Sequence, residues 1–506
     1  MIMGPVAGVR HCQRKGRLSA CTKERRRRSA DAAPDGFLFS NNKMHVLYDL
    51  LIKEVQTDIA QMEEEGHDPK GLLVELEAVA AKKSIDALAA FQQELWQRPS
   101  PESFPYAEPN DWESISKTFP DTESHARFAG NPARLADRLL AAWQGRCVGC
   151  QLGKPLEYVV MWPDKLKALV QFTDSWPITD YVNPMPEGAN LEGLPHSELF
   201  KEWVANSWYQ SCCRGRFHGS APDDDINYAV TSQLTLEQYG NEFTTEQAIM
   251  KIIDLTPMIG LAAAGRNMFR THFFGVPVPL TAVWGNPCRQ SLGAMIRCDP
   301  FGWAAPGNPA LAARLAYKDA VGSQVRNGIY AGVFFSVLLA DTLAHGDPVR
   351  AIDTAEQYVP PRSRFAEMIR FVKAECAREA CWEKVNQAMY ERYASEAKTF
   401  NHSLTNAAIV LIGLLKGERD FTKTLGIAVM CGMDTDCTGA TAGSIMGCAL
   451  GTKGIPEHWT KPIDNIARTT LANMSDWKIT DLAKGMFKIA EENCRYDRIT
   501  NEGILQ

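Results

Sequence analysis

Two stretches of this chain place a glycine at every fourth position: Gly145, Gly149 and Gly153, and, far along the chain, Gly439, Gly443, Gly447 and Gly451. On a helix that spacing strips one face bare. Each glycine costs about 1 kcal/mol relative to alanine in a helix interior. Close approach of another backbone, or of a ligand, has to offset that cost. The simplest account is that both stripes line one cramped place, which ties together segments separated by most of a domain.

Each stripe carries acidic residues at one end. The second is preceded by Gly432-Met433-Asp434-Thr435-Asp436-Cys437, two carboxylates flanking a hydroxyl at a helix start. A helix N-terminus needs one good cap, so a second acid is surplus and points to a cation. The alternative is a capped, tightly packed core helix. The first stripe runs into Lys154-Pro155-Leu156-Glu157, where the proline ends the helix near Gly153. Glu157 then sits on a loop at the mouth of the shared place, although a lone loop glutamate is usually just solvated.

A third acidic run, Pro222-Asp223-Asp224-Asp225-Ile226-Asn227, opens another helical segment. Neighbouring like charges cost of order 1 kcal/mol per pair even when screened. Taken with Asp434 and Asp436, the run reads as a multivalent-cation site. All-oxygen ligands select hard ions such as Mg²⁺, Mn²⁺ or Ca²⁺ over zinc. Nothing resembling a Ser-His-Asp triad, a P-loop or a GxGxxG fingerprint stands out. The pattern leans towards metal-assisted hydrolysis.

The net charge of −6 gives no general nucleic-acid signature. No uninterrupted apolar run reaches the roughly 18–20 residues of a membrane span; Ile329 to Ala340, closed by Asp341, reads as a buried helix. The scattered cysteines read as buried free thiols of a reducing, intracellular compartment, cytoplasmic by default. Residues 1–43, with Arg25 to Arg28 at their centre, read as a basic disordered tail that leaves nuclear or organellar targeting open. From Met44 to Trp96 apolar residues repeat at three and four (Leu47, Leu50, Leu51, Val55, Ile59, then Leu72, Leu73, Leu76), a small helical module with no visible chemistry. The proline-rich stretch through about residue 130 reads as a linker or wrapping loop. Asn131-Pro132 then opens a helix, and helical periodicity dominates to about residue 495. The expected body is all-α, spanning 131–495 behind a helical extension of 44–130.

Three ordered motifs resemble those of the ADP-ribosylglycohydrolases: Gly145-Arg146-Cys147-Val148-Gly149-Cys150-Gln151-Leu152-Gly153-Lys154-Pro155-Leu156-Glu157, then Asp223-Asp224-Asp225-Ile226-Asn227, then Gly432-Met433-Asp434-Thr435-Asp436-Cys437. The resemblance covers roughly 134–490. It implies an all-α fold holding two divalent cations, Mg²⁺ or Mn²⁺, in a central cleft. It implies cleavage at ribose C1 of an ADP-ribosylated protein or a small ADP-ribose or nucleoside compound, with no nucleic-acid or membrane partner. By position, the metal ligands are Asp223, Asp224, Asp225, Asp434 and Asp436. Glu157, Asp224 and Asp436 are the expected catalytic residues. Gly149, Gly293, Arg297 and Thr435 are the expected substrate contacts. Asn327, His402 and Asn406 lie in segments like those of the bacterial branch, without an assigned role. The chain departs from the family pattern at Asp223, Ile226 and Cys437, where hydroxyl residues are usual; a thiol is a poor Mg²⁺ ligand. A catalytically silent ADP-ribose or nucleotide binder of the same fold is the alternative reading.

Overall fold

A computed structural model of the chain describes residues 41–120, 128, 130–158, 160–396 and 399–496. The basic tail with Arg25 to Arg28 lies outside the described residues. Among those residues the fold is all-α: the strands are a single antiparallel ribbon, Ile466–Arg468 against Asp476–Lys478, with Ala467 opposite Trp477.

Three helices, Asn41–Glu63, Pro69–Ala80 and Ile85–Gln97, form the extension. Asp68 and Ser84 cap the second and third by accepting from backbone N–H groups of their first turns. Val55, Ile59, Leu72, Leu76, Leu88 and Leu95 close a small core distinct from that of the body. Leu47 and Leu50 stay exposed, so the repeat at the start of the first helix is only partly used.

The described part of the proline-rich stretch, to residue 120, packs on the body, with Ala107 N donating to Arg362 O and Tyr330 donating its hydroxyl to Pro109 O. Glu108 is buried, accepting from Arg364 Nε at 3.0 Å and from Asn327 Nδ2 at 3.1 Å. Ile115 already belongs to the main core. Asn131 caps the helix Pro132–Gly153, accepting from Arg134 N, with proline in the first turn where its missing N–H is harmless.

Helix Pro132–Gly153 crosses helix Thr435–Leu450 antiparallel and in register, backbone on backbone. A Cβ on Gly145 would lie 2.0 Å from Gly443 O, one on Gly149 1.9 Å from Gly439 O, and one on Gly153 2.1 Å from Thr435 O. The bare stripes meet each other. Helix Asn327–His345 is long and apolar enough to cross a membrane, but it is 94% buried inside the core.

Candidate active site

The register of the glycine helices decides where the site forms. Pairing Gly153 with Thr435 brings the end of one helix to the head of the other. Thr435 donates its hydroxyl to Gly153 O at 2.9 Å, satisfying a carbonyl that the helix end leaves open. Lys154 and Glu157 therefore emerge beside Asp434 and Asp436. The turn before Asp434 is equally constrained. Gly432 has φ +87°, and a Cβ there would lie 2.5 Å from Met161 O. Met433 follows at φ 62°, its N–H donating to the same carbonyl at 2.7 Å.

Arg146, fully buried on the first glycine helix, brings in the third motif. It donates to Asp225 O, Asp225 Oδ1 and Asp299 Oδ2, each at 2.9 Å, and to Ile296 O at 2.6 Å. Gln151, one turn on, accepts from Ala221 N at 2.6 Å and fixes the loop ahead of the acids. Asp223 caps helix Asp224–Tyr239, accepting from Asp225 N at 3.0 Å.

Lys154 is the hub. Its ammonium pairs with Glu157 Oε2 at 2.7 Å, with Asp436 Oδ2 at 2.9 Å, and with Asp223. Three donors meet three carboxylates. Glu157, Asp223, Asp225, Asp434 and Asp436 are all buried, and Asp224 is the least enclosed of the set. Ligand atoms of Glu157, Asp434 and Asp436 lie within 4.8 Å of one another, as do those of Asp225, Asp436 and Cys437.

Burial, reinforced by Asp223 and Asp225, pushes the Asp224 carboxyl well above its usual range. Burial and Asp436 do the same to Glu157 against the pull of Lys154. Burial lifts Asp434, with Asp436 and Glu157 adding to it. Burial also lifts Asp225 in spite of Arg146. Asp223 goes the other way: burial is the largest single influence and would raise it, but Lys154 together with hydrogen bonds from Asp224 and the Asp225 N–H brings it down. Burial alone would lower Lys154, yet Asp223, Asp436 and Glu157 hold it well above its ordinary value.

These residues fit divalent cations. Asp225 Oδ2, Asp434 Oδ1 and Asp436 Oδ1 are buried without a hydrogen-bond partner, a costly state for a carboxylate unless a cation meets it. Arg146 and Lys154 do not balance the surrounding acids, and the oxygen donors suit hard ions. Cys437 lies among them, its thiol pushed far up by burial and by Asp225 and Asp434.

Two cavities flank the acids. The first, about 340 Å³, is lined by Glu157, Asp224 and Asp434 on one side and by Arg266, Arg297 and Phe400 on others. The second, about 300 Å³ and more open, shares Lys154, Tyr158, Asp224 and Arg266 with it and adds Trp208 and Ile259.

Of the expected substrate contacts, Gly293 and Arg297 line the first cavity. Gly149 and Thr435 are corrected. Gly149 is pressed against the Gly439 carbonyl, and Thr435 spends its hydroxyl on Gly153; both join helices and neither lines either of these two cavities. Asp225 and Asp436 lie beneath the cavity walls and Asp224 and Asp434 on them. Sequence reasoning missed Lys154, Arg146, Asp299, Tyr158 and Arg266. The available signal was Arg146, the one charged residue in a helical run, Ala141 to Gly153, that is otherwise small, apolar or uncharged.

A family profile described as ADP-ribosylglycohydrolase matches residues 131–491. A solved structure described as an ADP-ribosylglycohydrolase-related protein complex aligns with 71% of this chain and 99% of its own, at 19% identity and a TM-score of 0.41. No curated protein matches the chain at a significant level. With the profile spanning most of the sequence, the chain belongs to the ADP-ribosylglycohydrolase family.

Proposed function

We propose that the protein is a divalent-cation-dependent hydrolase that cleaves the N- or O-glycosidic bond at ribose C1 of an ADP-ribosylated acceptor, or of a related ADP-ribose or nucleoside compound. The observation that carries this reading is the orphaned carboxylate oxygens of Asp225, Asp434 and Asp436 beside a cavity with aromatic and cationic walls.

Asp223, Asp224, Asp225, Asp434 and Asp436 would hold Mg²⁺ or Mn²⁺, whose positive charge suits ribose hydroxyls and an attacking water. Asp224 and Asp434 face the cavity and orient the sugar. Glu157 Oε2 is held by Lys154 at 2.7 Å, leaving the carboxyl at the cavity wall able to take a proton from water. Positive charge developing at C1 in an oxocarbenium-like transition state is offset by the surrounding carboxylates. Arg266 supplies positive charge for a diphosphate, while Arg297 on the same wall is already paired with Asp319 at 2.7 Å; Tyr158 and Phe400, ring centroids 4.9 Å apart, offer faces for a base.

The test is release of ADP-ribose from ADP-ribosylated arginine, ADP-ribosylated serine and a free nucleoside analogue, with Mg²⁺ or Mn²⁺ present and after chelation. Cation-dependent turnover of one of them, abolished in Asp436→Asn and Asp224→Asn, is expected. Tight ADP-ribose binding without turnover of any substrate identifies a silent binder.

A further inference from the structure

The extension touches the body through acids. Glu54 accepts from Arg270 Nη1 at 2.5 Å and Trp284 Nε1 at 3.0 Å. Glu65 pairs with Arg289 at 2.7 Å and Arg326 at 3.1 Å. Glu64, just past the end of helix Asn41–Glu63, accepts from Gln290 Nε2 at 3.0 Å and lies 3.4 Å from His402 Nε2.

Gln290 and His402 sit on the two segments that wall the first cavity. Cys288, Ser291, Leu292 and Gly293 line it from one, Phe400 and Asn401 from the other. The segments are stitched together: Ser291 and His402 form an antiparallel bridge, and Leu292 N donates to Asn401 O at 2.9 Å. Gln290 Oε1 accepts from Asn327 Nδ2 at 2.8 Å and Arg364 Nη2 at 3.1 Å, so both ends of its amide are engaged. From His402 the network continues inward. Asn406 donates to His402 O at 2.8 Å and accepts from Asp434 N at 3.2 Å. Two residues thus separate the extension from the backbone of Asp434, in the acid cluster.

We propose that the extension is a working part of the site: Glu64 is a positioning residue that holds the two-segment cavity wall through Gln290 and His402 and steadies the Asp434 turn through Asn406. Burial opposes the charge on Glu64, but His402, Arg364 and Arg289 bring its carboxyl below the ordinary range, so it meets Gln290 as an anion. The consequence for ligand rests on the function proposed above; the positioning does not.

Hydrogen–deuterium exchange on the full-length chain tests it with Glu64→Ala, Glu64→Gln and a control, Glu75→Ala, whose partner Arg98 lies within the extension at 2.9 Å. Glu64→Ala is expected to raise exchange about tenfold in segments 288–293 and 399–406, as local opening becomes easier by the equivalent of one lost charged hydrogen bond. Glu64→Gln, which can still accept from Gln290, restores most of the protection, and Glu75→Ala leaves both segments unchanged. Calorimetry with ADP-ribose and MnCl₂ is expected to show about tenfold weaker binding in Glu64→Ala. Unchanged exchange in both segments, or a rise spread evenly over the chain, overturns the proposal. Loosened segments in Glu64→Ala with no ADP-ribose binding by the unsubstituted protein uphold the positioning and refute the ligand assignment.

Discussion

Gly149→Ala sets two effects of opposite sign against each other. On helix propensity alone the substitution stabilises by about 1 kcal/mol. In this structure the new Cβ would sit 1.9 Å from Gly439 O, 2.3 Å from Gly439 C and 2.8 Å from Ala440 N, all backbone atoms with no rotamer to move. Ordinary contact begins near 3.4 Å, so the helices must part at the centre of their crossing. Overpacking of a close-packed interior costs about 1–3 kcal/mol and more where the backbone is struck. The upper end fits here, leaving a net loss of about 2 kcal/mol. The damage also reaches the site, because the same register sets Lys154 and Glu157 against Asp434 and Asp436. Urea unfolding gives the stability, and Mn²⁺ titration of the folded variant gives the site. A lower unfolding midpoint together with weaker Mn²⁺ binding is expected. A variant as stable as the unsubstituted protein, or more so, refutes the backbone-on-backbone crossing.

Glu157→Gln is expected to cut the rate of ADP-ribose release about 10²-fold or more, as for loss of a general base, while the Mn²⁺-induced rise in melting temperature persists; loss of that rise reassigns Glu157 as a cation ligand. The pH dependence follows from the raised carboxyls of Glu157, Asp224, Asp225 and Asp434. Their folded-state values exceed the unfolded ones, so the stability they contribute is complete below the ordinary carboxylate range and drains away as pH rises through the raised values. Asp223, held low, contributes in the opposite sense. Melting temperature in EDTA is therefore expected to fall as pH rises above the ordinary carboxylate range, and the gain on adding MnCl₂ to grow with it, since the ions displace protons. A gain that shrinks with rising pH contradicts this.

Much of the site was legible because it rests on local rules. Glycine at every fourth position demands a close neighbour, and two such stripes are most simply each other's neighbour, as Gly145 and Gly443 are. Surplus acids at helix starts imply a cation, and the three acidic motifs do converge. Periodicity names a close approach without naming what approaches, and at Gly149 it is the Gly439 carbonyl. Lys154 was passed over, since two of its three carboxylate partners, Asp223 and Asp436, come from distant segments. The extension seemed to lack chemistry for the same reason. Glu64 acquires a role only when folding brings it to Gln290 and His402.

The most direct test is anomalous diffraction from crystals grown with MnCl₂. The account predicts manganese peaks among the carboxylates of residues 223–225 and 434–436, within ligand distance of the oxygens now lacking partners. Manganese-free density there, with Lys154 still bridging Glu157, Asp223 and Asp436 at saturating Mn²⁺, would contradict it.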